Sequence, residues 1–474
     1  MIGVFPLPAI KFGTDGWRSR IDADFTAPNV RRVAKAVSEY LHETKQSDRG
    51  IFIGYDGRLG SATFARECAG ILADGGIMCF LPPRPVPTPI AAFAAASYSL
   101  AGAVMITASH NPPAYNGIKY IPHYGGPATE DITAAIERLI PPSTKDAPDF
   151  DSLSSQGMIA EMDPIDDYLK RVEGYIESPM RKIKVTIDPM HGATSGIIDR
   201  LLSDLGLEVE VIRGTIDPNF GGITPDPVPS NLGALRERAL KNGSEVAFAM
   251  DGDGDRITAV TGKGEFLPAN KLLPVIYLHM LEGRVIVGDA ARTVATSHLI
   301  DAVANSKGKS VIVTPVGFKY IGELLRNRKV VVGGEESGGI SFSMHIPEKD
   351  GMASAILVLE AISMSNGTLS GIMDRLKSSF GEFVSLRSDI SIEGSTDGLL
   401  ESIARAASSY RWGKRVAKTD KLDGFKILFD DGSWLLYRVS GTESAIRVYA
   451  ESSTIRGAEM LMDLGKALLS TVRD

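Results

Sequence analysis

Three times along this 474-residue chain a short β-branched run is followed by an amphipathic helical stretch and then by a second such run. Ile51–Asp56 leads into a helical pattern at 61–74 and a run at Ile77–Leu81. Lys184–Asp188 leads into 194–205 and Glu208–Ile212, and Arg284–Asp289 into 292–305 and Ser310–Thr314. Buried-type strands joined by helices of this length are the signature of α/β units. Each first run ends in an acid, Asp56, Asp188 or Asp289, and these stand 132 and 101 residues apart, a domain-sized rather than a solenoid-sized period. The pattern predicts three similar mixed α/β domains. Beyond them the order changes to a strand at Ser385–Ile392, a helix at 396–409, strands near 425–429, 433–439 and 445–451, and a helix from about 455. That order reads as a smaller α+β C-terminal domain. The expected domains are 1–145, 163–261, 262–372 and 382–474, with linkers around 141–164 and 366–384.

Composition removes several classes. With 51 basic against 58 acidic residues the net charge is −7, which weighs against a sequence-independent nucleic-acid binder. Anions can still be held wherever Arg and Lys converge. The two cysteines, Cys68 and Cys79, form no CxxC pattern, which excludes a cysteine-based zinc site and points to a reducing, cytoplasmic setting. The start, MIGVFPLPAI, has no basic segment before its apolar stretch, so no targeting signal is expected. Between Arg84 and Lys119 there is no charged residue, but Ser97-Tyr98-Ser99, Gly102 and several prolines interrupt the apolar part. It is too broken for a membrane span. A buried helix followed by a short buried strand is expected there.

Four motifs carry chemistry. Asp251-Gly-Asp253-Gly-Asp255-Arg256 follows the apolar strand Val246–Met250. Three carboxylates at alternate positions on a glycine-rich turn can face one hard cation. An EF-hand needs Gly at the sixth loop position and Glu at the twelfth, and here those are Arg256 and Gly262. A Mg²⁺ site is the expectation, and the charge count of −3 against +2 calls for a further oxygen ligand from elsewhere. Thr107-Ala-Ser109-His110-Asn111-Pro112-Pro113 follows Ala103–Ile106, with Asn116-Gly-Ile-Lys119 close behind. Turn chemistry alone explains Ser, Asn and Pro, but Lys119 puts an amine near the hydroxyl of Ser109, and a lysine of lowered pKa can serve as general acid/base. Gly334-Glu335-Glu336-Ser337-Gly338-Gly339 offers acceptors and donors suited to vicinal sugar hydroxyls. Arg438-Val-Ser440-Gly441-Thr442-Glu443, with Arg447 beyond, suits a phosphate held by hydroxyls, backbone amides and an Arg fork. No Walker lysine is present.

Together with Lys11-Phe-Gly-Thr-Asp-Gly-Trp-Arg18, these motifs resemble the α-D-phosphohexomutase family, in order and over the whole chain. The resemblance implies four domains round a central cleft. It makes Ser109 the phosphoryl carrier and a metal ligand, and Asp251, Asp253 and Asp255 the holders of Mg²⁺. Lys119 becomes the general acid/base, with Arg18 and Arg256 as charge stabilisers; His110 either orients the phosphoserine or bonds its loop. Arg438, Ser440, Gly441, Thr442 and Arg447 would bind phosphate. The implied reaction is reversible phosphoryl transfer between C1 and C6 of a hexose phosphate through a hexose 1,6-bisphosphate.

Sugar preference depends on two further segments. Thr314-Pro-Val316-Gly317-Phe-Lys319, and Glu335-Glu336-Ser337 with His345-Ile-Pro-Glu-Lys349, look like the glucose-specific branch. Val316, Gly317, Glu335, Ser337, Lys349 and Arg256 are the expected sugar contacts, with glucose 1,6-bisphosphate as activator and intermediate. Mannose and glucosamine branches commonly have His where Gly339 stands. Against the glucose reading, Gly338 replaces a usual Phe, and Asn116-Gly-Ile-Lys119 and Ser440-Gly-Thr-Glu443 look more like the mannose and glucosamine branches. The expectation is a phosphoglucomutase, with phosphomannomutase, dual-specific and phosphoglucosamine mutase alternatives. A non-catalytic sugar-phosphate binder is the reading from another class, and a phosphatase a third, which closure of the fourth domain should prevent. The expected partner is a hexose phosphate, with no nucleic acid or membrane, and the protein a monomer or small homo-oligomer.

Overall fold

The computed structural model describes residues 10–392, 395–439 and 445–473. Among these residues the strands form four sheets, the first reaching past the expected bound at 145 to a strand at Ile159–Glu161 and the second past 261 to one at Phe266–Leu267. The first contains β1 (Trp17–Arg20), β2 (Ile51–Tyr55), β3 (Cys79–Leu81), β4 (Gly102–Ile106), β5 (Tyr115–Pro122) and β6 (Ile159–Glu161), in the order β1-β5-β4-β2-β3-β6. The second contains β7 (Lys184–Asp188), β8 (Glu208–Val211), β9 (Val246–Met250), β10 (Ile257–Thr261) and β11 (Phe266–Leu267), ordered β11-β10-β9-β7-β8. The third, β13-β12-β14-β15, contains β12 (Ala290–Thr293), β13 (Val311–Thr314), β14 (Val332–Gly334) and β15 (Ile340–Phe342).

One four-strand unit recurs in all three. Its first strand pairs in parallel with the second and third, and the third turns back into an antiparallel fourth: β2, β3, β4, β5; then β7, β8, β9, β10; then β12, β13, β14, β15. The inner parallel strands β2, β4 and β9 are apolar and buried, as sheets covered by helices on both faces require, while the edge strands β8 and β13 are partly exposed. Helices Ala27–Glu43 and Ser61–Asp74 cover one face of the first sheet. Thr88–Ser97 covers the other and joins a core that continues through the second and third domains. The helix Gly351–Met364 is buried on nearly every face in that shared core. No single described helix is long and apolar enough to cross a membrane.

The fourth sheet is antiparallel and different. β16 (Val384–Ser391), β17 (Val416–Asp420), β18 (Phe425–Phe429), β19 (Trp434–Val439) and β20 (Ala445–Ser452) run β16-β20-β19-β18-β17, with helices Leu399–Ser409 and Ile455–Arg473 alongside. Trp434, Leu436 and Tyr449 pack against Val294 and Ala295 of the third domain.

Several expectations need correction. The run Arg284–Asp289 is not the first strand of the third unit; β12 starts at Ala290. Its neighbours reach back only to Val311 and Val332, so nothing upstream has a ladder to join. That run climbs instead from the helix Ala269–Glu282 to the sheet, with Val285 and Val287 exposed and Arg284 paired to buried Glu360. Asp289 therefore stands before its strand, and the likeness to Asp56 and Asp188 fails. The segment 141–164 is no linker, since it holds the helix Phe150–Ser155 and β6, which pairs with β3. Likewise 366–384 holds the helix Leu369–Phe380, anchored by buried Leu369, Ile372 and Leu376. β17 escaped the sequence reading because it is an exposed, polar edge strand.

Leu357 lies at the centre of the shared core with no exposed surface. Leu357→Ala should cost ~2–5 kcal/mol through lost burial and a residual cavity, read as a lower melting temperature by calorimetry.

Candidate active site

The same connection in each repeat, from third strand to fourth, carries a motif. The turn from β4 to β5 holds Ser109, the turn from β9 to β10 holds Asp251, Asp253 and Asp255, and the turn from β14 to β15 holds Glu335 and Ser337. All three lie beyond the carboxyl ends of parallel strands, where open α/β sheets place ligands. The loops are stitched together. Arg256 bridges to Gly339, the Ile257 amide donates to the Gly338 carbonyl, and the Thr88 amide donates to the Asp253 carbonyl.

Ser109 is buried and adopts φ 51°, the left-handed region that a β-carbon disfavours. Its amide donates to Thr107 Oγ1 at 2.8 Å, and its hydroxyl donates to Asp251 Oδ2 at 2.6 Å. Gly252 admits this approach, because a β-carbon there would lie 2.7 Å from the Ser109 carbonyl. His110 Nδ1 stands 3.3 Å from Ser109 Oγ. Burial first, then Arg256, Arg18 and Arg58, hold that imidazole well below its ordinary pKa and therefore neutral.

The three aspartates are buried, with one carboxylate oxygen from each lying within 4.8 Å of the others. Asp253 Oδ1 and Asp255 Oδ1 are buried without any hydrogen-bond partner. Orphaned carboxylate oxygens in a dry site are costly, so this donor set fits a hard divalent cation such as Mg²⁺. Burial, then Asp253 and Asp255, push the Asp251 carboxyl above the usual range. Thr88 Oγ1 donates to Asp253 Oδ2 at 2.6 Å, which orients that carboxylate from behind.

Lys119 on β5 reaches Asp15 at 2.9 Å and Asp253 and Asp255 at 3.0 Å. Burial opposes its charge, yet these three carboxylates hold its pKa above the ordinary value. The condition for an acid/base lysine, an environment that lowers its pKa, is therefore not met, and the site keeps Lys119 as an ammonium. Lys349 contacts Asp15 and Asp255 at 3.4 Å and Glu348 at 3.1 Å. Arg18 on β1, the strand beside β5, donates to Asn111 Oδ1 at 3.0 Å. The Arg256 amide donates to Asp251 Oδ1 at 3.0 Å, and its guanidinium faces Asp226 at 3.8 Å.

At the other side Glu335 Oε1 accepts from the Gly317 amide at 2.9 Å, and burial pushes its carboxyl up to about 7. Ser337 is half-buried on the same turn. The Val316 amide and Arg438 Nε both donate to Asp423 Oδ2, at 2.8 and 2.7 Å, tying the third domain to the fourth. Arg447 lies 3.7 Å from Asp389. Ser440, Gly441 and Thr442 lie outside the described residues. The site thus brings Ser109, His110, Lys119, Arg18, Arg256, Lys349 and the three aspartates together, with Glu335 and Gly317 adjoining. Sequence reasoning missed Asp15, Arg58, Thr88, Glu348 and Asp423. Asp15 was legible as the acid inside Lys11–Arg18 and Glu348 as the acid inside His345–Lys349; Arg58, Thr88 and Asp423 had no local signal.

Comparison with known proteins agrees with this arrangement. Family profiles described as phosphoglucomutase/phosphomannomutase alpha/beta/alpha domains I, II and III match residues 9–146, 166–264 and 268–380, and the C-terminal domain profile matches 397–463. A phosphoglucomutase/phosphomannomutase of Thermococcus kodakarensis is 28% identical over 472 residues, 97% of this chain and 98% of its own. A Methanothermobacter thermautotrophicus protein assigned as a phosphoglucosamine mutase is 31% identical over 463 residues, 97% of this chain and 98% of its own. A crystal structure from Thermus thermophilus, assigned as a phosphomannomutase, superposes with a TM-score of 0.86 at 28% identity, over 98% of this chain and 99% of that one. The chain belongs to the phosphoglucomutase/phosphomannomutase family of α-D-phosphohexomutases, isomerases of the phosphotransfer type.

Thr88→Val removes the group that orients Asp253 without touching a carboxylate. Divalent-cation affinity, measured by titration calorimetry with Mg²⁺, should fall on the order of 10–100-fold.

Proposed function

We propose that this protein interconverts hexose 1-phosphates and hexose 6-phosphates, with glucose the preferred sugar, by passing a phosphoryl group through Ser109. The observation that carries the reading is the buried, left-handed Ser109 with its hydroxyl 2.6 Å from Asp251 inside the acidic triad.

In the phosphorylated enzyme, the group on Ser109 Oγ is transferred to the free hydroxyl of the bound sugar monophosphate. The Oγ–P bond breaks as the sugar O–P bond forms, giving a hexose 1,6-bisphosphate and free Ser109. The bisphosphate turns over, and its other phosphate returns to Ser109. Asp251, Asp253 and Asp255 would hold Mg²⁺, which when bound withdraws charge from the transferring group. Lys119, held as an ammonium, stabilises the negative charge on the transferring group, and the proton lost by the attacking sugar hydroxyl is balanced by the one the serine oxygen takes up as it leaves. Arg18 and Arg256 face the same oxygens. Asp15 keeps Lys119 and Lys349 charged together. Glu335, ionised, accepts from sugar hydroxyls beside Ser337 and Lys349, while Arg438 and Arg447 with the Ser440–Thr442 loop take the distal phosphate. The two buried free cysteines, Cys68 and Cys79, fit a reducing cytoplasm.

The sugar is argued from one contact. A β-carbon at Gly339 would lie 2.3 Å from Lys349 Cδ, so the lysine stem fills the space a histidine side chain would need. That favours the glucose reading over the branches with His there. The relatives carry phosphoglucosamine and mannose names as well, so glucosamine 1-phosphate is the second substrate to test.

Wild type should convert glucose 1-phosphate faster than mannose or glucosamine 1-phosphate in a coupled assay with Mg²⁺ and catalytic bisphosphate. Ser109→Ala and chelation by EDTA should each remove turnover; activity surviving in Ser109→Ala would sink the reading. Glu335 ionises only above about 7, so KM should rise as pH falls through that value, and Glu335→Gln should flatten this dependence beyond the substrate's own titration.

A further inference from the structure

We infer that Arg58, which hydrogen-bonds to none of the three aspartates, is the positioning residue that holds Ser109 in its reactive geometry; this rests on Ser109 being the phosphoryl carrier. Its guanidinium side chain is wholly buried. A guanidinium has five N–H donors in a fixed plane, and here every nitrogen finds its acceptors. Nε donates to Asp56 Oδ2 at 3.1 Å; Nη1 to the Pro112 and Tyr115 carbonyls at 2.9 and 3.1 Å; Nη2 to the Ser109 and Asn111 carbonyls at 2.5 and 2.7 Å. Four of the five acceptors belong to the one loop that carries the nucleophile and to the strand end that adjoins it.

The clamp has its own support. Asp56 accepts from the Arg58 amide, from Ser61 and from Thr107, and Thr107 Oγ1 in turn receives the Ser109 amide. Ser109 is therefore gripped at its amide through Asp56 and Thr107, and at its carbonyl through Arg58. Those two grips fix the peptide planes on either side of a residue held at φ 51°. Phe220, from the second domain, covers the outer face of the guanidinium at 4.8 Å and keeps water from competing for its donors. Lysine cannot replace this fork, because it offers three donors from one point and no plane.

The consequence is kinetic. Loosening the loop misaligns Ser109 Oγ for in-line transfer in both half-reactions, while sugar and phosphate contacts elsewhere are untouched. In the full-length enzyme, Arg58→Lys should lower kcat roughly 100-fold, the scale of an ångström of misplacement, with KM changed by less than about threefold. Hydrogen exchange should quicken about tenfold for amides of residues 107–116 while those of the neighbouring strands Ile51–Tyr55 and Gly102–Ile106 keep their rates. Retained kcat in Arg58→Lys overturns the inference, and so does failure of that variant to fold. A loss of kcat accompanied by faster exchange across the whole sheet, or by no change in the loop, also overturns it. If Ser109→Ala proves active, the underlying reading falls; if Ser109→Ala is dead and Arg58→Lys is not, only the role of Arg58 falls.

Discussion

Everything in this molecule is arranged around charge taken out of water. Asp15, Asp251, Asp253 and Asp255 meet Lys119, Lys349 and Arg256 in a buried or nearly buried cluster, with Arg58 behind it. Desolvating so many ions is expensive unless each finds a partner of good geometry. The network meets that condition by sharing: one lysine serves three carboxylates, and Asp15 serves two lysines. The oxygens left over, on Asp253 and Asp255, are buried without a hydrogen-bond partner. A cluster like this cannot be assembled by one domain, so its electrostatics and the docking of the first three domains form a single problem.

Repetition solves the geometry of that problem. The connection between the third and fourth strands of each unit emerges at the same end of its sheet. Three units packed round a shared core therefore present three equivalent turns to one point. One carries Ser109, one the three aspartates and one Glu335; backbone bonds tie the second turn to the third, and the Ser109 hydroxyl ties the first to Asp251. The long helix Gly351–Met364 contributes from below. Its Gly351 amide donates to the Gly254 carbonyl, and the preceding Lys349 and Glu348 enter the cluster from its start.

The fourth domain enters differently. It docks through an apolar patch around Trp434 and Tyr449 and through Asp423, which receives both the Val316 amide and Arg438. Arg438 pairs with Asp423 and Arg447 lies beside Asp389, both outside the buried carboxylate cluster.

Much of this was legible in the chain itself. Periodic β-branched runs and glycine-rich acidic turns reveal the α/β repeats and the loops, because strand burial and turn chemistry are local constraints. Ser109, the three aspartates and Lys119 were recognisable for the same reason, since each sits in a motif within a few residues of its strand. The start of the third unit misled, because Arg284–Asp289 has a strand's composition but no neighbour to pair with, and pairing is not a local property. Arg58, Thr88 and Asp423 left no trace, for their partners lie dozens to more than a hundred residues away. The direction of the Lys119 pKa was hidden too, because it depends on three carboxylates drawn from two domains. Sequence determined which groups exist and which turns carry them. Tertiary structure decided their protonation, orientation and partners, because those depend on distance and dielectric, which only packing sets.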